Sequence, residues 1–262
     1  MSHITLSIDG AVAALTLNNP PQNRIGNEMV DQLSAAIDDI GSGKVRALLL
    51  HAEGPDFSFG GDIVPWPDMD VRELRAMFER YMSVFNRFER LPIPVIAAVQ
   101  GLCFGGGLEL ALRADVIFAG ASARFGHPEQ TLGIVTLLGG IYRVAERAGR
   151  PFASGWAITS QQVPATVMER HGVVNRVIED DKLLIEAKAF AVKIATGPTR
   201  AYAAHKALLR TWANGGIGAA DEVMFDIAMP LFETNDVRTG LRSAVNALKA
   251  GQPRPVLAFE GR

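Results

Sequence analysis

Two glycine stretches and two glutamates are the residues of this chain whose types and spacing could do chemistry. In Phe59-Gly60-Gly61-Asp62 and in Gly105-Gly106-Gly107 the missing side chains let a ligand approach backbone N–H groups closely. The second stretch also opens the helix-forming run Leu108-Glu109-Leu110-Ala111-Leu112. Two such donors aimed at one point stabilise negative charge on a carbonyl oxygen, each worth roughly 3 to 4 kcal/mol in a transition state. Tight turns and helix–sheet contact use glycine equally well. Glu109 stands among Leu108, Leu110, Ala111 and Leu112, and Glu129 follows Phe125 in His127-Pro128-Glu129. A carboxyl group in apolar company has a raised pKa and can carry protons near neutrality. The plain alternatives are a solvated helix face for Glu109 and a loop cap for Glu129.

Other chemistry fails on spacing. Gly41-Ser42-Gly43-Lys44 resembles a phosphate loop but continues with Val45 in place of Ser or Thr, and lacks the glycine five residues before Gly43; it reads as a turn. Gly105 to Gly107 do not form a G-x-G-x-x-G fingerprint, and no His-Glu-x-x-His occurs, so neither a dinucleotide site nor a metal hydrolase is supported.

The elements that must position these groups follow from periodicity. Ile4 to Ile8 alternate, Asp9-Gly10 turns, and Val12 to Leu17 resume as a strand, which predicts a hairpin. Met29, Val30, Leu33, Ala36, Ile37 and Ile40 recur at helical spacing from Asn27 to Gly41. A buried strand is expected over Ala47 to Leu50. Gly54 to Asp70 reads as a loop carrying two exposed aromatics, Phe59 and Trp66. Leu74, Met77, Phe78, Tyr81, Phe85 and Phe88 predict a second helix before the strand Val95 to Val99, and Asp115 to Ala119 and Val173 to Ile178 predict two more strands. This alternation favours an α/β fold with parallel pairing. Beyond Gly197-Pro198, the segments Arg200 to Arg210, Ala219 to Leu231 and Asp236 to Lys249 read as purely helical.

Composition bounds the class. Of 262 residues, 48% are hydrophobic and 21% charged, with 26 glycines, which suits a compact α/β protein and excludes disordered or collagen-like chains. Acidic and basic residues number 28 and 26, so no basic surface points to nucleic acid. A single cysteine, Cys103, excludes an intramolecular disulfide framework and reads as a buried structural thiol. The start, Met1-Ser2-His3-Ile4-Thr5, has no basic segment leading into an apolar one, and no apolar run is long enough to cross a bilayer, so a cytoplasmic protein without membrane partners is expected.

At these residues the sequence resembles the crotonase superfamily, the enoyl-CoA hydratase/isomerase family. The resemblance rests on Ala97-Ala98-Val99-Gln100-Gly101 with Gly105 through Asp115, on Phe125-Gly126-His127-Pro128-Glu129 with Leu132-Gly133, and on Phe57 through Ile63, in matching order and spacing. It extends over nearly the whole chain, through Gly172 to Val177 and Thr234-Asn235-Asp236. It implies a spiral core of ββα turns over residues 1–195, a helical C-terminal trimerisation region over 196–262, and a homotrimer or dimer of trimers. It also implies a coenzyme A thioester as substrate, with no separate cofactor and no metal. By position, Gly61 and Gly106 would supply the oxyanion-hole N–H groups, and Glu109 and Glu129 would be the acid/base pair that adds water across an α,β double bond. Both glutamates being present favours a hydratase over an isomerase. Phe59, Gly60, Asp62, Ile63, Trp66, Gly105, His127 and Leu137 are the expected substrate contacts.

The chain departs from the family pattern where a Pro-Gly pair usually follows Leu132-Gly133-Ile134; here Val135-Thr136-Leu137-Leu138 precedes Gly139-Gly140, which changes one wall of the acyl pocket. Isomerisation, decarboxylation or C–C hydrolysis of an acyl-CoA share the same enolate and stand as alternatives, and a non-catalytic CoA-binding protein is the alternative of another class. Arg24, Lys206 and Lys249 are candidates for CoA phosphate contacts or plain surface charge.

Overall fold

The computed structural model describes residues 2–41 and 44–261. Ser42 and Gly43 of the expected turn, and Met1, lie outside the described residues. Strands β1 (Ile4–Asp9) and β2 (Val12–Leu17) form the antiparallel hairpin, followed by helix α1 (Asn27–Gly41) and strand β3 (Ala47–Ala52). Helix α2 (Val71–Glu89) starts at Asp70, whose carboxylate accepts from the Arg72 and Glu73 N–H groups while Glu73 returns a bond to the Asp70 N–H. That reciprocal cap is the reason the helix begins at the exposed Val71, three residues before Leu74, the first of its apolar stripe.

Next come β4 (Val95–Val99), β5 (Leu102–Phe104), α3 (Gly106–Ala111), β6 (Val116–Gly120), β7 (Arg124–Gly126), α4 (Gly140–Ala148) and α5 (Arg150–Thr159). Then β8 (Val163–Pro164), α6 (Ala165–Arg170), β9 (Arg176–Ile178), α7 (Leu183–Ala195), α8 (Thr199–Ala228) and α9 (Asn235–Lys249) complete the chain. The main sheet has the order β1-β2-β3-β4-β6-β9, parallel apart from the hairpin, and a small sheet has the order β5-β7-β8. The path is therefore repetitive: β4 and then β6 run in the main sheet, β5 and then β7 continue each of them in the small one, and a helix follows. One turn earlier β3 does the same, because the segment after it runs parallel to β5 through a bridge between Ser58 and Cys103.

The inner strands β3, β4 and β6 read as near-continuous apolar runs because both faces of the main sheet are covered there. Leu48 and Leu50 pack with Val95, Ala97 and Val99 against Met29 and Leu33 of α1 and Phe85 and Phe88 of α2. Ala47, Leu49, Ile96, Ala98 and Phe118 point the opposite way, beneath Leu183, Ala187 and Ala191 of α7. Alternation with a period of two thus splits each strand between two cores.

Several expectations need correction. The last strand covers only Arg176–Ile178, because the N–H groups of Val173 and Val174 both turn back to the Met168 carbonyl at the end of α6. The residues just before the Gly105–Gly107 stretch form a strand, β5, and the first two helical segments of the tail form one helix kinked at Gly216, where φ is 76°. Phe59 and Trp66 are half-buried rather than exposed: Phe59 meets Phe104 and Trp66 meets Phe78, edge to face at 6.0 and 5.1 Å. Helix α8 buries no residue and displays Leu209, Trp212, Ile217 and Phe225. The tail is tied back by Arg46, which donates to the carbonyls of Gly197 and Phe259, and by Asp236, which accepts from the N–H groups of Glu260 and Gly261. Among the described residues no helix is long and apolar enough to cross a membrane.

Candidate active site

The Phe57 to Asp62 loop is held on both sides. Phe57 and Ser58 donate to the carbonyls of Gln100 and Leu102, and Phe104 donates to Ser58. On the other edge Ile25 donates to the Gly60 carbonyl at 2.8 Å, and Asp62 donates to the Ile25 carbonyl at 2.9 Å. The Gly60–Gly61 peptide is planar and trans, so with its carbonyl turned to Ile25 the Gly61 N–H points away from that edge. Gly60 sits at φ 94°, and a Cβ there would lie 2.9 Å from the Phe104 carbonyl oxygen and 3.2 Å from the Gly106 nitrogen; only glycine lets the two segments meet. A Cβ on Gly106 would in turn lie 3.5 Å from the Gly61 nitrogen. Among the described residues neither the Gly61 nor the Gly106 N–H donates to a protein acceptor.

Glu109, one turn into α3, is 2% exposed. Its Oε1 accepts both the Leu138 and the Gly140 N–H at 2.8 Å, which leaves Oε2 as the oxygen able to take or give a proton. Burial, the two peptide donors and the neighbouring Glu129 and Arg113 together set its pKa at about 7, with burial the dominant cause. Glu129 comes from the short 3-10 segment Pro128–Leu132 after β7, and burial raises its pKa as well. Its Oε2 is closed to solvent and has no hydrogen-bond partner among the described residues, and its Oε1 lies against Gly105.

These groups face one cavity of about 260 Å³. Of the residues expected from sequence, Phe59, Gly60, Gly61, Ile63, Trp66, Gly105, Gly106, Glu109, Glu129 and Leu137 line it. Asp62 and His127 do not. Asp62 directs its N–H to Ile25 and its carboxylate to the Val64 N–H. His127 is buried behind the carboxylates, its ring 4.5 Å from that of Trp156 and its Nδ1 3.8 Å from Glu129 Oε2; burial without a hydrogen bond lowers its pKa to about 4, so it is neutral. Sequence reasoning missed Ile25, Phe78, Tyr81, Phe104, Leu132 and Ile134 in the wall, although Phe78 and Tyr81 were legible as one helical stripe. Arg24 also lines the cavity and donates to the Gly61 carbonyl at 3.3 Å, whereas Lys206 is engaged by Asp115 at 2.7 Å and Lys249 is exposed. Cys103 is fully buried, which pushes its thiol pKa up and keeps it protonated.

The sequence model of enoyl-CoA hydratase/isomerase matches residues 7–250. The chain belongs to the enoyl-CoA hydratase/isomerase family. It is 35% identical over 199 residues to the short-chain-enoyl-CoA hydratase of Clostridium acetobutylicum, covering 75% of this chain and 76% of that one. It is 30% identical over 251 residues to the crotonyl-CoA hydratase of Syntrophomonas wolfei, covering 95% and 96%. Among solved structures, the enoyl-CoA hydratase subunit I of Geobacillus kaustophilus superposes with a TM-score of 0.89 at 28% identity, over 99% of this chain and 98% of that one. The crotonase fold that the resemblance implies is thus the fold observed, and the chain is an enzyme of the enoyl-CoA hydratase type.

Proposed function

We propose that this family member hydrates 2-enoyl-CoA thioesters, with the Gly61 and Gly106 N–H groups holding the thioester oxygen and Glu109 and Glu129 working as the acid/base pair. The observation that carries this reading is the meeting, in one cavity, of two peptide N–H groups without an acceptor among the described residues and two carboxyls from different elements, Glu109 buried and Glu129 half-buried. Charge that develops on the thioester oxygen as water adds at Cβ would be met by both N–H groups. One carboxylate takes a proton from the attacking water, and the other, protonated, delivers one to Cα; the water oxygen bonds to Cβ and the pair ends with its single proton exchanged. Each step is proton transfer or electrostatic stabilisation, so coenzyme A enters only as part of the substrate.

Gly60, Gly105 and Phe59 shape the oxyanion loop, and Ile63, Trp66 and Leu137 form the acyl wall in this reading. His127 supports Glu129 from behind, and Asp62 serves the backbone of the loop. Leu137 in the wall favours double-bond isomerisation as the second reading, because a larger side chain beside the reacting carbons leaves less room for water. The exposed apolar face of α8 favours assembly through residues 196–262 as a homotrimer or dimer of trimers, around a core over 1–195. Incubation with a panel of enoyl-CoA thioesters followed by mass spectrometry tests the assignment. A gain of one water supports hydration, an unchanged mass with a shifted double bond selects isomerisation, and loss of carbon dioxide selects decarboxylation. Tight acyl-CoA binding with no turnover across the panel would leave a binding protein.

A further inference from the structure

Arg113 heads the fully buried large side chains, yet it lines no part of the cavity that holds the two glutamates. Burying a guanidinium is unfavourable unless it is paired, and an apolar side chain of similar volume would fill the same space without that penalty. Its contacts show what it holds. Nη1 donates to Glu89 Oε2 at 2.8 Å and to Asn86 Oδ1 at 2.5 Å, both on α2. Glu89 is shared with Arg143 of α4, which also reaches the Gly139 carbonyl at 3.3 Å. Nη2 of Arg113 donates to the Leu138 carbonyl at 2.8 Å, and Nε has no partner, so the Nη ends determine the pose.

Glu109 and Arg113 are four residues apart, and both reach Leu138. Glu109 takes its N–H and Arg113 takes its C=O, so this one residue of the 137–140 loop is gripped at both ends. Resting on the hydratase reading above, we propose that Arg113 is a positioning residue: through Leu138 it holds the loop whose N–H groups occupy Glu109 Oε1, and so keeps Oε2 presented to the cavity. The charged and titratable groups around Glu109 are Glu129, Arg113 and the neutral His127. Of these Arg113 favours the carboxylate form of Glu109 and Glu129 opposes it.

The test compares Arg113→Met and Arg113→Lys with the unaltered enzyme by two readouts. The first is an infrared difference titration of the ligand-free protein, with the Glu109 band identified by its loss in Glu109→Gln. The second is the pair kcat and KM on crotonyl-CoA. Arg113→Met is expected to move the Glu109 midpoint up by about one pH unit and to lower kcat about tenfold or more, with KM changed less than about threefold. Arg113→Lys, which keeps the charge, is expected to restore part of both. A folded Arg113→Met protein whose Glu109 midpoint and kcat both match the unaltered enzyme would overturn the proposal. If Arg113→Met does not fold, Glu89→Gln carries the same test, with both shifts expected in the same direction and smaller, and an unchanged midpoint and kcat contradicting it. The infrared readout needs no substrate, so a protein that hydrates no enoyl-CoA would defeat the hydratase reading while the titration still decides whether Arg113 governs Glu109.

Discussion

Gly105 makes room for the Glu129 carboxylate: at φ 47°, a Cβ on Gly105 would stand 3.0 Å from Glu129 Oε1. Gly105→Ala therefore combines a left-handed backbone with displacement of an acid/base group. It is expected to cost about 1 to 2 kcal/mol of stability and at least about tenfold in kcat. Thermal melting with steady-state kinetics checks both, and an alanine variant with unchanged kcat would show that Glu129 need not sit there.

Glu109 is bound to the fold at a cost that depends on pH. Its pKa is raised from 4.5 to about 7, so the folded protein holds this proton more tightly than the unfolded chain, and stability is lost as pH rises through that interval. Glu109→Gln keeps an acceptor for Leu138 and Gly140 and removes the charge. At pH 8 it is expected to be more stable than the unaltered protein by about 2 to 3 kcal/mol, and the difference should shrink below about pH 5. Denaturant unfolding at both pH values measures this, and a destabilised variant at pH 8 would contradict it.

His127 gives the opposite slope. Its pKa is lowered from 6.5 to about 4 by burial, so the unfolded chain takes up a proton first, and stability is lost as pH falls between those values. His127→Gln is expected to flatten the acid side of the stability curve, sparing about 2 to 3 kcal/mol of the loss between pH 6.5 and 4. The comparison is of slopes, and parallel curves for the two proteins would mean that His127 does not titrate in that range.

Among the described residues the Gly106 N–H has no acceptor, and it stands at the first position of α3, where proline is tolerated for the same reason. Gly106→Pro should therefore remove one oxyanion donor with the circular dichroism spectrum retained. The loss in kcat on an enoyl-CoA is expected to be about 100- to 1,000-fold. A folded proline variant with kcat within a few-fold of the unaltered enzyme would remove Gly106 from the oxyanion hole.

What could be read in advance was what repeats or stands out locally. Helix α1 follows from six apolar residues at helical spacing, β4 from an unbroken apolar run, and both glycine stretches and both glutamates from their apolar company. Strands β5, β7 and β8 were illegible because two or three residues carry no period. Trp66 is half-buried partly because the ring of Phe78, on the following helix α2, comes to meet it. The grip of Glu109 and Arg113 on Leu138 joins positions 25 and 29 residues apart and depends on how α3 faces the 137–140 loop, which no local pattern encodes. A charged residue four positions after Glu109 in an otherwise apolar run was the available signal.

The most direct test of the central claim is the ultraviolet absorbance of the enoyl thioester after mixing with crotonyl-CoA and a longer homologue, with the product weighed by mass spectrometry. The account predicts loss of the absorbance and a gain of one water, with Glu109→Gln and Glu129→Gln each slower by about 100-fold or more. Unchanged absorbance with every enoyl-CoA supplied, or hydration at the unaltered rate by Glu109→Gln or Glu129→Gln, would contradict it.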